Sequence, residues 1–313
     1  MVDAMVNSVE DYLIDGLSFK LSPGASYVTD RRSVTFHPAG SNIYSPNAGT
    51  KVIRINLTGD GWLDPSTVRL AFNVKNNNPT FKLRPLSGGW SFFRRARTLV
   101  GGAIVDDVDH YNRVHEMLHI LTSNANRDND DVEGFGYRWD SNWKNDASHV
   151  QVELFDGVPG NQSKNVTFKP LSGLFNQPKF IPLMWCPITL EYEIVGSSEE
   201  CIATPGAAGA ESDLANNNTS VLWSIENVQL KCDLVTLDSA LQNSYAEHVL
   251  SGKALPINYS TFVTQYQSIA NGLPITTSLT RAVSRLKSVF ISLDGDRKAV
   301  NSADPFTLSL IHI

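Results

Sequence analysis

RTLVGGAIVDDVDHYNRVHEMLHILT, residues 97–122, is the stretch that decides the fold class of this chain. Short apolar runs flank Gly101-Gly102, and a two-residue Gly-Gly loop supplies the positive φ angles of a primed hairpin turn. After Asp106, apolar residues recur with the period of an amphipathic helix. The stretch therefore predicts a β-hairpin followed at once by a helix, which we place near residues 107–121.

The predicted helix also contains the pattern His-Glu-x-x-His, at His115, Glu116 and His119. Two histidines four residues apart on one helix can bind Zn²⁺ through their ring nitrogens, and the intervening glutamate can act as the general base of a peptidase. A zinc metallopeptidase that uses these three residues is therefore one candidate function.

The zinc hypothesis lacks an evident third ligand. The metzincin extension of the motif is not met, because Thr122 stands where that motif requires glycine and no histidine follows at the right distance. A downstream glutamate such as Glu133 or Glu153 could serve, but neither lies on an evident second helix.

Helix periodicity also weighs against a zinc site. At about 100° per residue, the apolar side chains gather on one face of the helix, and His115, Glu116 and His119 lie towards the opposite, polar face. The apolar set consists of Tyr111, Val114, Met117, Leu118 and Leu121. We therefore predict two surface histidines that bind no catalytic metal.

Composition limits the function classes. The chain has 313 residues, of which 42% are hydrophobic and 19% charged, as expected for a globular protein with a large core. The net charge of −6 does not favour a general nucleic-acid-binding surface. No apolar run reaches the roughly 18 residues of a membrane-spanning helix, and the acidic N-terminus has no signal-peptide pattern.

Other possible site residues have simpler explanations. Cys186, Cys201 and Cys232 are too widely spaced for a zinc quartet or a disulfide framework, so we expect free thiols. Glu191 and Glu193 share one face of a strand, as paired glycosidase carboxylates could, but any solvent-facing strand surface gives the same spacing.

Strand patterns dominate the first two thirds of the chain. Residues 1–49, rich in Ser, Pro, Asn and Gly, are predicted to be an irregular arm, and residues 59–65 a loop. Long polar loops are predicted at 124–147 and 196–220. Alternation of apolar and polar residues predicts strands at 51–58, 68–75, 150–154, 188–194 and 223–237.

A helix and a further strand are predicted after residue 237. Asp238 is a suitable N-cap, an apolar stripe follows at Leu241, Tyr245 and Val249, and Gly252 is a suitable helix end, which places a helix at 239–251. Residues 256–274 are extended and polar. Residues 285–293 alternate as a strand does, so two β modules are separated by a helix-containing connector.

The order of these segments resembles that of double jelly-roll major capsid proteins of polinton-like viruses, virophages, adintoviruses and nucleocytoplasmic large DNA viruses. The resemblance spans roughly residues 50–293. The amino-acid sequence of the predicted helix at Tyr111–Leu121 is most similar to that of the polinton-like branch. It rests on the hairpin and helix at 98–121, the Ile-Pro-Leu strand and its partner at 180–194, the strand and helix at 226–251, and the strand at 281–293.

The resemblance implies an all-β fold and a division of the chain. It implies a first jelly roll at 50–237 after an arm at 1–49, a connector at 238–275, and the start of a second jelly roll at 276–313. The family's chains are usually longer, and Leu308–Ile313 resembles translated adapter sequence, so we predict a truncated chain whose last few residues are not native.

The function implied is structural. The protein would be a major capsid protein of a double-stranded DNA virus or virus-like element, made in the host cytoplasm or nucleus. Three chains would form a pseudo-hexameric capsomer that meets neighbouring capsomers and minor capsid and penton proteins in the virion. No catalytic residue, cofactor, metal, sequence-specific nucleic-acid contact or membrane span is implied, and the HExxH pattern would be incidental.

A carbohydrate-binding β-sandwich is the remaining alternative. It would share the strands and loops, and it would require exposed aromatic side chains aligned on one face. The tryptophans that could form such a line are Trp62, Trp90, Trp139 and Trp143.

Overall fold

The computed structural model describes residues 27–83, 85, 87–122, 157–198, 200–202, 220–267, 278, 285–291 and 311–312. Antiparallel strands account for most of the regular structure in these ranges. The strands are β1 (Val28–Phe36), β2 (Ile43–Tyr44), β3 (Val52–Leu57), β4 (Trp62–Asn76), β5 (Phe93–Val100), β6 (Ala103–Asp109), β7 (Ser163–Phe168), β8 (Ile181–Pro182), β9 (Ile188–Ile194), β10 (Trp223–Leu237), β11 (Phe290–Ile291) and β12 (Ile311–His312). The α-helices are α1 (Tyr111–Ile120) and α2 (Ser239–Leu250).

The long strands form two antiparallel sheets. The first sheet has the order β1-β10-β4-β7, with the short strands β2 and β8 paired to β10 and β4. The second sheet has the order β3-β9-β5-β6. All of these strands pair antiparallel with their neighbours.

The pairing scheme is that of one long hairpin rolled into two layers. Among the described residues, eight strands have six or more residues, and the first pairs with the eighth (β1 with β10), the second with the seventh (β3 with β9), the third with the sixth (β4 with β7) and the fourth with the fifth (β5 with β6). Successive pairs along this hairpin alternate between the two sheets. This arrangement of eight strands in two sheets is a jelly roll, so the all-β jelly-roll prediction is confirmed.

Aromatic rings fill the space between the sheets. Phe72 of β4, on the first sheet, is fully buried and lies edge-on to Phe93 of β5, on the second, at a centroid distance of 5.5 Å. Phe92 and Phe168 approach the same ring at 6.4 and 6.2 Å. Edge-to-face packing of this kind contributes beyond the burial of apolar area, so this cluster joins the two layers.

The hairpin that decided the fold class is present. Gly101 and Gly102 have φ angles of +56° and +86°, which a primed two-residue turn requires. The predicted strands at 51–58, 68–75, 188–194 and 223–237 correspond to β3, β4, β9 and β10. The second predicted helix is also confirmed, because the Asp238 side chain accepts a hydrogen bond from the Ala240 N–H (3.0 Å) at the start of α2.

The prediction of an irregular arm is wrong for residues 28–36. They form β1, which pairs with β10 from Val28 opposite Leu237 to Phe36 opposite Leu230. β1 is an edge strand whose residues are mostly exposed, so it lacks the apolar alternation by which a half-buried strand is recognised.

The predicted loop at 59–65 is wrong in its second half. β4 already begins at Trp62 and includes Asp64-Pro65. The Asp64 side chain accepts hydrogen bonds from the Ser66 N–H (3.0 Å) and from Arg31 (2.7 Å), and the pairing with β10 shifts register here. A bulge therefore accommodates loop-like residues inside a strand.

The predicted helix at 107–121 begins too early. Asp107 and Asp109 belong to β6, where Asp107 forms a two-point ion pair with Arg95 on β5 (2.8 and 2.7 Å). Cross-strand charge pairs of this kind stabilise a strand. Helix α1 begins only at Tyr111, after His110 in the left-handed conformation with φ +50°.

The C-terminal strand is shorter than predicted. Within 285–291, only Phe290–Ile291 is a strand, and it pairs antiparallel with Ile311–His312. No described helix is long and apolar enough to cross a membrane.

Several predictions fall outside the described residues. They concern the N-terminal part of the arm (1–26), the loop at 124–147, the strand at 150–154, most of the loop at 196–220, and residues 292–293 of the last strand.

The aromatic cluster between the sheets leads to the first testable prediction. Replacing Phe72 by Ala removes a fully buried ring that contacts both layers, so the free energy of unfolding should fall by about 3–5 kcal/mol. Phe81→Ala is the matched control, because Phe81 is 37% exposed and the loss of its ring should destabilise the fold clearly less than the loss of Phe72. Urea unfolding curves of both variants measure the difference, and equal losses would contradict this account of the core.

Candidate functional site

Helix α1 buries residues from both predicted faces, because Tyr111 of the predicted apolar face and Glu116 and Asn112 of the predicted polar face are all buried. Glu116 and Asn112 are 1% and 4% exposed, whereas Leu121, from the predicted apolar face, is 55% exposed. The prediction of two surface histidines is therefore wrong, since His115 and His119 lie on the inward side with Glu116.

Trp90 is the reason for this orientation. It lies in a short 3-10 turn (Gly89–Phe92), is 1% exposed, and donates a hydrogen bond from its indole N–H to Glu116 Oε2 (2.9 Å). The His115 ring stacks on the indole at 4.1 Å with an interplanar angle of 12°, and the His119 ring meets it edge-on at 4.7 Å. A buried indole N–H needs an acceptor, and Glu116 supplies it.

The environment of His115 favours a neutral ring. Besides Trp90, the ring lies edge-on to Phe168 (5.6 Å) and near Tyr111 (5.7 Å), and Nε2 is 3.4 Å from the carbonyl oxygen of Lys169. Burial among these rings lowers the pKa of His115 from its ordinary 6.5 to about 3, although the Lys169 carbonyl acts in the opposite direction.

This geometry does not assemble a zinc site from the HExxH residues. The glutamate that would act as the general base instead accepts the Trp90 N–H, and His115 Nε2 faces a backbone carbonyl. Within the described ranges, no group of three or more His, Cys, Asp or Glu residues could hold a metal ion. The proposed third ligands Glu133 and Glu153 lie outside the described residues. That the histidines bind no catalytic metal stays a prediction.

Glu191 and Glu193 do not form an open carboxylate pair. Glu191 is only 4% exposed, so the solvent-facing interpretation is wrong for it. Its Oε1 accepts a hydrogen bond from Arg54 Nε on β3 (2.8 Å), and Oε2 forms an ion pair with Arg97 on β5 (2.9 Å). The carboxylate therefore joins three neighbouring strands, and neither oxygen is available for proton transfer to a sugar.

Two of the four tryptophans proposed for sugar stacking are buried. Trp62 and Trp90 are 6% and 1% exposed, and Trp62 packs against Trp185 and Tyr245 at 5.8 and 5.1 Å. Trp139 and Trp143 lie outside the described residues. The three cysteines form no disulfide bond, and Cys201 and Cys232 are buried. Burial raises the pKa of the Cys232 thiol to about 12, which keeps it protonated at neutral pH.

Sequence reasoning missed the residues around which these contacts are organised. In the sequence, Trp90 stands out only as a possible sugar contact, and no helix or strand pattern marks it as the partner of α1. Asp106 is 4% exposed and links three segments of the chain through hydrogen bonds. Its position within the acidic run Asp106-Asp107-Val108-Asp109 gave no sign of burial.

Comparison with known proteins gives similarity in structure only. No protein-family model and no curated protein matches the chain. Among solved structures, it is similar to PBCV-1 VP54 fitted into a cryo-EM reconstruction of the virophage Sputnik, with a TM-score of 0.46, 14% identity, and coverage of 73% of this chain and 48% of the other. The Faustovirus major capsid protein gives a TM-score of 0.36 with 10% identity, covering 73% and 58%.

The mavirus major capsid protein gives a TM-score of 0.34 with 9% identity, covering 71% of this chain and 51% of the other. The chain thus spans about half the length of the solved structures that it matches. The jelly-roll assignment itself rests on the strand order and register described above.

The Trp90–Glu116 hydrogen bond can be tested by two matched substitutions. Glu116→Gln keeps an oxygen that can accept the indole N–H, whereas Glu116→Leu has similar size but leaves the N–H buried and unpaired. We expect the leucine variant to unfold more easily than the glutamine variant by about 1–3 kcal/mol. Urea unfolding followed by tryptophan fluorescence measures this difference. Equal stability of the two variants would show that the hydrogen bond contributes nothing.

The His115 ring, packed against Trp90 and Phe168, predicts a loss of stability in acid. Between its folded pKa of about 3 and its ordinary value of 6.5, the unfolded chain binds a proton that the folded chain excludes. The contribution of His115 to the free energy of unfolding is fully present above pH 6.5. It is lost as the pH falls towards 3, by up to about 1.4 kcal/mol per pH unit. His115→Phe keeps an aromatic ring but cannot bind a proton.

The stability of this variant relative to the wild type should therefore rise as the pH falls through that window. Unfolding curves at several pH values would show it. A stability difference independent of pH would mean that His115 titrates alike in both states.

Proposed function

We propose that this protein is a structural capsid protein of a double-stranded DNA virus or virus-like element. The observation that carries the proposal is the rolled hairpin, in which β1 pairs with β10, β3 with β9, β4 with β7 and β5 with β6. It agrees with the segment order by which the sequence resembles double jelly-roll major capsid proteins. Under this proposal the protein resides in the virion and is not an enzyme.

The two-sheet fold is suited to a rigid subunit of a protein shell. The two sheets are joined through a closely packed aromatic core, and ion pairs such as those of Glu191 with Arg54 and Arg97 connect strands across the outer face of the second sheet. A body of this kind gives stable flat surfaces on which copies can associate through large interfaces. Function then depends on self-association and needs no catalytic pocket.

The finer parts of the proposal concern assembly. Two jelly rolls in one chain would let three chains imitate six-fold symmetry and pack hexagonally, as the resemblance implies. The first jelly roll would end at residue 237, residues 238–275 would be the connector, and 276–313 would begin a second jelly roll. Neighbouring capsomers and minor capsid and penton proteins would be the partners, after synthesis in the host cytoplasm or nucleus.

The alternatives are less well supported by the geometry. A zinc peptidase needs Glu116 free to activate water, but this carboxylate accepts the buried Trp90 N–H. A sugar-binding sandwich needs a line of exposed aromatic rings, but Trp62 and Trp90 are buried.

Particle assembly and metal content together test the proposed function. We expect the reading frame that contains this sequence, expressed and purified, to form trimers by light scattering and particles with a six-sided outline by electron microscopy. We expect elemental analysis to find far less than one zinc per chain. Glu116→Gln is the matched variant, because it would keep both histidines while removing the base of a peptidase.

Unchanged assembly of this variant is expected. One zinc per chain, with peptidase activity that Glu116→Gln abolishes, would overturn the capsid proposal. A monomer that binds glycans would overturn it in favour of the sugar-binding alternative.

A further inference from the structure

The chain that follows helix α2 is docked along the jelly roll. Residues 253–267, here called the strap, belong to no helix or strand and follow Gly252, whose φ of +79° ends the helix. From 255 to 259 alternate side chains turn inward, namely the partly buried Leu255, Ile257 and Tyr259, and further along Phe262 and Thr264 are partly buried. Leu255 packs against a small apolar cluster of Trp62, Val235 and Leu237, here called the Trp62 cluster. Ile257, Tyr259 and Phe262 pack against the main core between the two sheets. The strap therefore connects two apolar clusters of the first jelly roll.

A single buried carboxylate holds the middle of the strap. Asp106 on β6 accepts hydrogen bonds through Oδ2 from the Ser172 hydroxyl and from the Gly173 N–H, both at 2.9 Å. Its other oxygen, Oδ1, accepts a hydrogen bond from the hydroxyl of Thr261 in the strap. Tyr259 adds a hydrogen bond from its hydroxyl to the Val105 carbonyl oxygen (3.0 Å). Strand β6, the 172–173 turn and the strap thus meet at one carboxyl group.

Gly173 allows the strap to come this close. A Cβ at this position would collide with the Ser260 carbonyl oxygen and lie 2.7 Å from Cδ2 of Tyr259. The backbone of Gly173 is in the ordinary right-handed helical region (φ −57°, ψ −41°), which any residue can adopt. Space, and not backbone conformation, therefore requires glycine here, and the space is occupied by the strap.

The far end of the strap is also held. Tyr266 stacks on His110 at a centroid distance of 5.2 Å and an interplanar angle of 26°. His110 is the N-cap of α1, so the strap passes from the Trp62 cluster to the start of α1 along a defined path. At the near end, Lys179 donates a hydrogen bond to the Pro256 carbonyl oxygen (3.3 Å).

We propose that the strap is a latch, anchored by Asp106, that closes the first jelly roll and fixes where the chain leaves it towards residues 276–313. Burying a carboxylate is costly unless it is fully hydrogen-bonded, so an ionic anchor is better suited to setting one register than to adding stability. The hydroxyl of Thr261 on Asp106 Oδ1 ties this one residue of the strap to a fixed position on the jelly roll. The consequence for capsomer assembly rests on the proposed capsid function, whereas the latch itself does not.

Gly173→Ala tests the latch in the intact chain, with Gly49→Ala as the matched control. Both positions accept alanine without backbone strain, but a Cβ at Gly49 meets nothing within 4 Å. We expect Gly173→Ala to displace the strap and to raise the rate of chymotrypsin cleavage at Tyr259, Phe262 and Tyr266 by about 10-fold, while Gly49→Ala cleaves at the wild-type rate. Mass spectrometry of the fragments locates the cuts, and cleavage elsewhere in the chain provides the internal reference.

Milder variants separate release of the strap from loss of the fold. Thr261→Val and Tyr259→Phe each remove one hydroxyl from the strap and leave Asp106 and the 172–173 turn intact. We expect smaller increases in cleavage at the same sites, with an unchanged circular dichroism spectrum. Wild-type cleavage rates in Gly173→Ala, or in both hydroxyl variants, would overturn the latch.

The yield of trimers tests the role of the latch separately from the proposed capsid function. In the expressed reading frame, we expect Gly173→Ala to lower the yield of trimers while Gly49→Ala leaves it unchanged. Normal trimers despite a released strap would overturn the role of the latch in placing the following module. Failure of the wild type to assemble would overturn the capsid proposal and leave the proteolysis result standing.

Discussion

Insertion of strand β10 between β1 and β4 is the constraint on which the rest of the structure depends. This strand of 15 residues pairs with β1 through Val28–Phe36 and with β4 through Trp62–Asn76, so it joins the beginning of the described chain to its middle. The first sheet cannot form until residues 223–237 have paired with β1 and β4. Pairing between strands so distant in sequence is the slow part of folding a β protein. Helix α2 and the strap follow directly from the end of β10, which makes their positions consequences of this one insertion.

Buried carboxylates specify the arrangement of the jelly roll more than they stabilise it. Glu116 accepts the hydrogen bond of the Trp90 indole N–H. Asp106 accepts hydrogen bonds from the 172–173 turn and from the strap. Glu191 on β9 forms ion pairs with Arg54 on β3 and Arg97 on β5. Each carboxylate is 4% exposed or less, and a charge so placed is tolerated only where all its partners are present. They therefore select one packing among the many that an apolar core alone would permit.

The HExxH pattern shows how a motif can be present without its chemistry. The two histidines and the glutamate have the spacing of a zinc helix, yet their side chains pack on an indole ring. The pattern specifies only three residues within a five-residue stretch of one helix. Its meaning depends on which side of the helix faces the body of the protein, and Trp90, which lies 26 residues before Glu116, decides that.

The sequence by itself determined the features that depend on near neighbours. Alternation predicted β3, β9 and β10, Gly101-Gly102 predicted the hairpin, and Asp238 predicted the start of α2, because each rests on contacts within a few residues. Only the tertiary structure decided that 28–36 form an edge strand, that Asp64-Pro65 lie in a bulge, and that α1 buries Asn112 and Glu116. Those outcomes depend on partners distant in sequence, namely β10, Arg31 and Trp90, whose proximity arises only when the hairpin has rolled into two sheets.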